Sequence, residues 1–256
     1  MTRGMKKFIY GIFYLAIFGL IGYGIYSKNT VVQPTCSDGI RNQNETGVDC
    51  GGACVSCSVK NLKEMRPGTV TIFNLESGRA VFLGTIVNPN EGYIARNISY
   101  TLVVSDKTGY PVEHISGNDT VFPLEKRYIF SADARTKVQN IGSVKIEIAS
   151  SSVQWETFYD TLKPDMRIIF GPNFSDEEKT VRVSGTVRNE SSFSVNKVKI
   201  IALFFDKYDD ELFASQWTTA EFSGSDTKDF SILIPKEKNI TDRIDRGKTK
   251  LLIQTE

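Results

Sequence analysis

Four segments in the second half of this chain repeat the pattern of four segments in the first half, and this repeat constrains the fold more than any other feature. Residues 84–88 (GTIVN) match 185–189 (GTVRN), and residues 98–107 match 198–207, at an offset of about 100 residues. The other matched segments are 70–73 with 167–170 and 128–130 with 230–232. Agreement across four separate segments predicts two copies of one domain.

Each copy has the alternating pattern of β-strands. In the first copy Ile98, Tyr100, Leu102 and Val104 fall on one face, with polar residues between most of them. Runs rich in β-branched residues recur through both copies and are bounded by Gly, Pro, Asn or Asp. Several short strands within each copy of about 100 residues predict an immunoglobulin-like β-sandwich. The predicted fold class is mainly β, with one sandwich at residues 60–162 and a second at 163–256.

The two predicted sandwiches contain no cysteine, so their cores depend on packing alone. A domain of about 100 residues buries enough surface for that. Lys163-Pro164 favours extended backbone between the copies, which predicts a boundary near residues 158–164. We therefore expect residues 163–256 to fold as an isolated fragment.

Residues 8–26 (FIYGIFYLAIFGLIGYGIY) form a run of 19 residues without a charge. A helix of this length spans roughly 28 Å, which is close to the hydrocarbon thickness of a bilayer. Arg3, Lys6 and Lys7 precede the run, and the positive-inside rule predicts that residues 1–7 are cytoplasmic and residues 28–256 lie outside. We therefore predict a single-pass protein of the cell membrane. The alternatives are a cleaved secretory signal and a buried helix.

All four cysteines, Cys36, Cys50, Cys54 and Cys57, fall within 22 residues of the segment 27–59, which follows the apolar run. Outside the membrane, such a cluster predicts two disulfides that stabilise a segment too short to bury a core. Three pairings are possible, and the spacing does not choose between them. A zinc site and a redox-active Cys-x-x-Cys motif are the alternatives.

Oxygen-bearing side chains lie between these cysteines, at Asp38, Asn42, Glu45 and Asp49. Calcium coordinates such ligands, so these four residues are candidate calcium ligands, although their spacing does not match an EF-hand loop. The alternative is a polar loop in which Asp and Asn side chains cap turns. Apart from calcium at these residues, we predict no cofactor.

Three resemblances to known modules rest on short segments of this sequence. The order Cys-x-Asp-Gly-x-x-Asn-x-x-Glu-x-Gly-x-Asp-Cys-Gly-Gly-x-Cys-x-x-Cys, from Cys36 to Cys57, is similar to short modules of secreted and surface proteins of bacteria and archaea. The second copy, with 183–189 (VSGTVRN) and Phe205-Asp206, resembles the FxLYD-type sandwich domain, although Ala202 and Phe204 replace its naming Phe and Leu. The first copy, with 87–90 (VNPN) before a long alternating strand, is similar to WHy-type domains. These resemblances imply an extracellular β-sandwich protein without a known active site.

Charge and composition exclude several classes of protein. The net charge is +1, and the residues after position 27 carry a net negative charge, so the chain lacks the basic surface of a nucleic-acid-binding protein. His114 is the single histidine, which removes most enzymes that depend on imidazole. No set of nucleophile, base and orienting group is visible, and no small-molecule substrate is indicated. We predict that the protein is not an enzyme.

Six N-x-[ST] sequons occur, where chance predicts roughly two for this composition. They are candidate glycosylation sites: Asn44, Asn97, Asn118, Asn173, Asn189 and Asn239. Together these features predict a non-enzymatic surface or adhesion protein that binds a protein or envelope partner. The alternative is an accessory or assembly subunit of a membrane complex.

Overall fold

The computed structural model describes residues 3–30, 35–132, 134–159 and 163–256, with the backbone alone for residues 27–30. The chain divides into two compact units, residues 1–62 and residues 63–256. The second unit contains all the described strands.

The first unit begins with helix α1 (Arg3–Thr30). Between Arg3 and Tyr26 the helix is long and apolar enough to cross a membrane, with a mean hydropathy of 1.9 and no part of that window buried. A signal sequence near the N-terminus meets the same criteria. The chain thus has an N-terminal apolar helix that suggests either a membrane anchor or a signal. The unit also contains the one-turn helix α2 (Cys57–Lys60).

The first half of the second unit, residues 63–159, consists of two antiparallel sheets. In one sheet β3 is central and pairs with β1, β2 and β6; in the other β4 is central and pairs with β5, β7 and β8. The bounds are β1 (Arg66–Pro67), β2 (Thr71–Asn74), β3 (Ala80–Val87), β4 (Tyr93–Asp106), β5 (Pro111–Val121), β6 (Lys126–Ser131), β7 (Ile141–Ile148) and β8 (Gln154–Thr157).

The second half has a similar arrangement, with three strands in each of its two sheets. Strand β10 lies between β9 and β13, and β11 lies between β12 and β14. The bounds are β9 (Met166–Asp176), β10 (Thr180–Asn189), β11 (Val195–Phe205), β12 (Glu211–Phe222), β13 (Thr227–Pro235), α3 (Lys238–Thr241) and β14 (Lys250–Thr255). The strands that the repeat pairs in sequence, β3 with β10 and β4 with β11, are the central strands of equivalent sheets.

Alternation of side chains builds a core within each half. In the first half Phe82 and Ile129 of one sheet share a buried cluster with Leu102 and Ile146 of the other. In the second half Val183 and Phe230 share a cluster with Ile200 and Phe204, and none of these four side chains is more than 1% exposed. Each half is therefore a β-sandwich, which confirms the predicted fold class.

Strand β3 is buried on both faces and connects the two halves. Its residues Phe82 and Ile86 belong to the core of the first half, whereas Val81 and Leu83 belong to the cluster of the second half. Phe73 of β2 faces the same way, and its ring centroid lies 5.8 Å from that of Phe213. We call the surface where the two halves meet the seam.

The seam bears on the expectation that each sandwich folds alone, because the isolated second half would expose the apolar side chains that now contact Val81 and Leu83. The domain boundary between residues 162 and 163 remains a prediction. Residues 160–162, where it lies, are outside the described residues.

Candidate functional site

The cysteine-rich segment is closed by two disulfides, as the sequence predicts. Cys36 pairs with Cys54 and Cys50 pairs with Cys57, which selects one of the three possible pairings. Because no cysteine is free, none supplies a thiolate for the alternative zinc site. The described residues of this segment form turns, a β-bridge between Gly47 and Cys50, and the short helix α2.

The candidate calcium ligands already serve as acceptors for loop backbone. Asp38 accepts hydrogen bonds from the side-chain amide of Asn42 (2.8 Å), from Thr35 N (3.0 Å) and from Ile40 N (2.8 Å). The bond from Asn42 is the largest of the causes that lower the pKa of Asp38. This carboxylate therefore fixes the first turn of the segment, which is the capping role considered as the alternative.

Glu45 and Asp49 have similar roles elsewhere in the loop. Glu45 is 4% exposed, and its Oε2 accepts from Asn42 N (3.2 Å) and Asp49 N (3.0 Å). Asp49 accepts from Gly39 N (2.9 Å) and lies 3.5 Å from Lys60 Nζ. Among the described residues, one group of three or more His, Cys, Asp or Glu ligand atoms lies within 4.8 Å, and it consists of Glu45 and the disulfide-bonded Cys36 and Cys54. Calcium binding remains a prediction.

Glycines of the motif are needed because the loop passes close to itself. Gly51 and Gly52 have φ values of +79° and +60°. A Cβ at Gly52 would lie 2.4 Å from Asn44 O, and one at Gly47 would lie 2.9 Å from Cys50 Sγ. The motif thus encodes a tightly folded loop, since most of its fixed residues close turns or permit close approach.

Two buried asparagines occupy equivalent places in the two sandwiches. The Nδ2 group of Asn88 donates to the carbonyls of Tyr93, Val121 and Phe122, and its Oδ1 accepts from Asn90 N. Asn189 makes the matching four bonds, at positions offset by 100 or 101 residues: to the carbonyls of Phe193, Phe222 and Ser223, and from Ser191 N. Both side chains are fully buried. Each asparagine fixes a loop to the end of two strands.

The hairpins that follow β4 and β11 also match. The Oδ1 atom of Asp106 accepts from Thr108 N and Tyr110 N, and that of Asp206 accepts from Tyr208 N and Asp210 N. The pKa of Asp206 is lowered, because these bonds and one from Arg243 outweigh the burial that acts to raise it. Both aspartates stabilise the turn in which they lie.

A buried ionic network crosses the seam, and it was not predicted from the sequence. Arg127 of β6 is 0% exposed and lies 3.5 Å from both Asp119 and Glu125. It also donates to Thr120 O, and across the seam to Thr255 O at 2.8 Å. Lys199 of the second half contacts Asp119 (2.7 Å) and Glu256 (2.6 Å). A charged residue at a core-facing position of β6 is the sequence signal that could have identified Arg127.

The remaining candidate residues lie apart from one another. His114 is exposed on β5, beside a surface groove of about 590 Å³ that Glu113 and Thr136 also line. Among the sequons, Asn189 is 0% exposed and its amide is fully used, as described above. The other five asparagines are exposed: Asn44, Asn97, Asn118, Asn173 and Asn239. Their use as glycosylation sites remains a prediction.

A comparison with protein-family models finds no match to this chain, and a search of curated proteins finds none.

Proposed function

We propose that this protein is a single-pass, membrane-anchored extracytoplasmic protein that presents two β-sandwiches to a protein or envelope partner and carries out no catalysis. The observation that carries the proposal is the apolar helix α1 followed, in the same unit, by a segment closed by two disulfides. Disulfides persist outside the reducing cytoplasm, and the basic residues before α1 favour a cytoplasmic N-terminus.

The matched halves support a second part of the proposal, that the sandwiches are a tandem repeat of one domain. The equivalent sheets, the buried Asn88 and Asn189 and the hairpin Asp106 and Asp206 agree in position and hydrogen bonding. We extend this to the FxLYD-like and WHy-like character suggested by the sequence. Turns and buried asparagines that recur in both halves stabilise the fold, so this part of the proposal concerns architecture and not activity.

A non-enzymatic role is supported by where the reactive groups lie. His114 is exposed on β5, and the hydrogen bonds and ion pairs of the described residues do not join it to a nucleophile. The buried carboxylate of Asp119 is already neutralised by Arg127 and Lys199. Acid–base or nucleophilic catalysis needs such groups to converge on one reacting atom.

Protease accessibility tests the topology. Intact cells that express the chain with an N-terminal tag are treated with protease, and the fragments are identified with and without permeabilisation. We expect residues 35–256 to be digested while the tag survives. Protection of these residues in intact cells would contradict the orientation, and loss of residues 1–26 from the mature chain would show a cleaved signal.

Crosslinking in native membranes tests the partner. Contacts with cell-surface or envelope material are expected for a surface-binding protein. One stoichiometric membrane-protein partner would instead identify an accessory subunit and overturn the adhesion role. A catalytic activity of the purified chain that depends on its disulfides would overturn the proposal that the protein carries out no catalysis.

A further inference from the structure

A cleft of about 350 Å³ opens along the seam of the second unit. The first half contributes Tyr100 of β4 and Asn118 of β5, together with the β6 residues next to Arg127. The second half contributes Gln216 and Thr218 of β12, beside Lys197 and Lys199 of β11. The cleft exists because the two sandwiches meet, so neither half forms it alone.

Several polar side chains that line the cleft have no hydrogen-bond partner among the described residues. The hydroxyl of Tyr100, the amides of Asn118 and Gln216 and the hydroxyl of Thr218 make no side-chain hydrogen bond with any described residue. These four side chains offer both donors and acceptors. Their grouping in one concave place provides the convergent polar groups that are typical of a ligand site.

Tyr100 occupies a position in this cleft that depends on the absence of a side chain at Gly117. Its ring lies over Gly117 of the neighbouring strand, where a Cβ would come within 2.4 Å of the tyrosine hydroxyl. Burial, and secondarily the carboxylates of Asp119 and Glu256, raise the pKa of Tyr100 to about 12. The hydroxyl therefore stays protonated at physiological pH and can donate as well as accept.

The charged groups of the cleft are already paired with each other. Lys199 Nζ lies 2.7 Å from Asp119 and 2.6 Å from Glu256, and Lys197 Nζ lies 3.2 Å from Glu256. An ionic ligand would have to compete with these existing ion pairs for the partly buried charges of Lys199 and Asp119. A neutral ligand can use the unpartnered hydroxyls and amides without this cost.

We propose that the seam cleft binds a neutral, hydroxyl-rich ligand, namely a saccharide unit. Hydroxyls and side-chain amides supply directional hydrogen bonds to sugar hydroxyls, and the neighbouring Tyr128 and Phe130 supply apolar surface. The volume lies at the lower end of the range for small-molecule pockets, which suits one or two sugar rings. This site is independent of the membrane anchor and of the surface role proposed above.

The test uses the full chain in a detergent without a sugar headgroup. Saturation-transfer NMR is recorded with glucose, N-acetylglucosamine, cellobiose and chitobiose. We expect saturable binding of at least one of these sugars in the millimolar range. The Tyr100→Phe variant should weaken it roughly fivefold, because it removes one hydrogen-bonding hydroxyl and keeps the ring. Tyr110→Phe is the matched control, since Tyr110 is 70% exposed and lies outside the cleft; it should bind as the original chain does.

A second variant, Gln216→Ala, removes an amide from the opposite wall and keeps the test decisive if Tyr100→Phe fails to fold. A free sugar and a sugar within a polymer are distinguished by comparing each disaccharide with its monosaccharide, since a polymer site gains affinity with chain length. The proposal is overturned if none of the four sugars binds. It is also overturned if the two cleft variants bind as tightly as the Tyr110→Phe control.

Discussion

Replacement of Arg127 by methionine is expected to destabilise the second unit strongly, because this guanidinium is the centre of the buried network at the seam. Arg127 is 0% exposed, faces Asp119 and Glu125 at 3.5 Å, and donates to Thr255 O across the seam. Its Nε and Nη1 atoms have no hydrogen-bond partner, so the network is not ideally satisfied. The net contribution of the intact network is therefore smaller than the cost of removing one member.

The magnitude follows from what the substitution leaves behind. Asp119 keeps Lys199 at 2.7 Å, but Glu125 loses its nearest cation and two carbonyls lose a donor. Removing one partner of a buried ion pair costs about 3–5 kcal/mol. For a folding unit of this size, each kcal/mol shifts Tm by about 2–4 °C, which gives a decrease of roughly 6–20 °C.

Tryptophan fluorescence of the full chain in detergent provides the assay, because both tryptophans, Trp155 and Trp217, lie in the second unit. Arg96→Met is the matched control. Arg96 pairs with Glu156 at 2.6 Å, but their side chains are 43% and 52% exposed. Exposed pairs contribute about 0–1 kcal/mol, so this control should melt within a few degrees of the original chain.

The pH dependence supplies an independent check. Burial raises the pKa of Glu125, and the charge of Arg127 opposes this effect, so Arg127→Met should raise that pKa further. A raised pKa in the folded state favours the protonated carboxyl, so the deficit of the variant should be large at neutral pH and shrink as the pH falls through that pKa. The reasoning would be refuted if Arg127→Met melted at the same temperature as Arg96→Met. It would also be refuted if the loss of stability in Arg127→Met were constant between pH 7 and pH 4.

Four further results are expected. The fragment 163–256 should melt at a lower temperature than the full chain, because it exposes the apolar seam; equal melting temperatures would contradict this. Gly52→Ala should scramble the disulfides in non-reducing mass mapping, whereas Gly39→Ala, which also has a positive φ but no atom within 4 Å of a Cβ, should scramble them much less. The stability of Asp206→Asn should fall less than that of the original chain as the pH is lowered in thermal melts. The lowered folded-state pKa of Asp206 contributes stability above the ordinary carboxyl pKa, and this contribution is lost as the pH falls. Native mass mapping should find Asn189 unmodified; a glycan there would show that the buried amide is accessible.

The sequence predicted those features that depend on periodicity or on local chemistry. Alternation at Ile98, Leu102 and Val104 identified β4, and these side chains are fully buried. The cluster of cysteines predicted disulfides, but the pairing required a folded loop, because all three pairings satisfy the same spacing. The seam followed from no local pattern. Val81 and Leu83 lie in a continuous apolar run, and the sequence does not say whether the second buried face meets a neighbouring sandwich.

Arg127 and Asn189 show why the remaining site residues were missed or misplaced. A lone arginine is most often a surface residue, and only the carboxylates that tertiary structure brings to it make burial possible. Asn189 satisfies a sequon, yet its amide is fully used by three carbonyls in the folded chain. Some of the partners are also distant in sequence: Thr255, which Arg127 reaches across the seam, and Phe222 and Ser223 for Asn189.

Strand β10 is the counterpart of β3, but its outer face is different. Val183 and Val187 point into the core, while Arg182, Ser184 and Thr186 alternate with them and are partly exposed. A further sandwich stacked on this face would have to dehydrate Arg182, which pairs with Glu177, and Thr186, whose hydroxyl donates to Asp229. The same face in β3 carries Val81 and Leu83 and is already covered. Strand β10 therefore disfavours the kind of stacking by which β3 joins the two halves, because its outer face carries polar side chains where β3 carries valine and leucine.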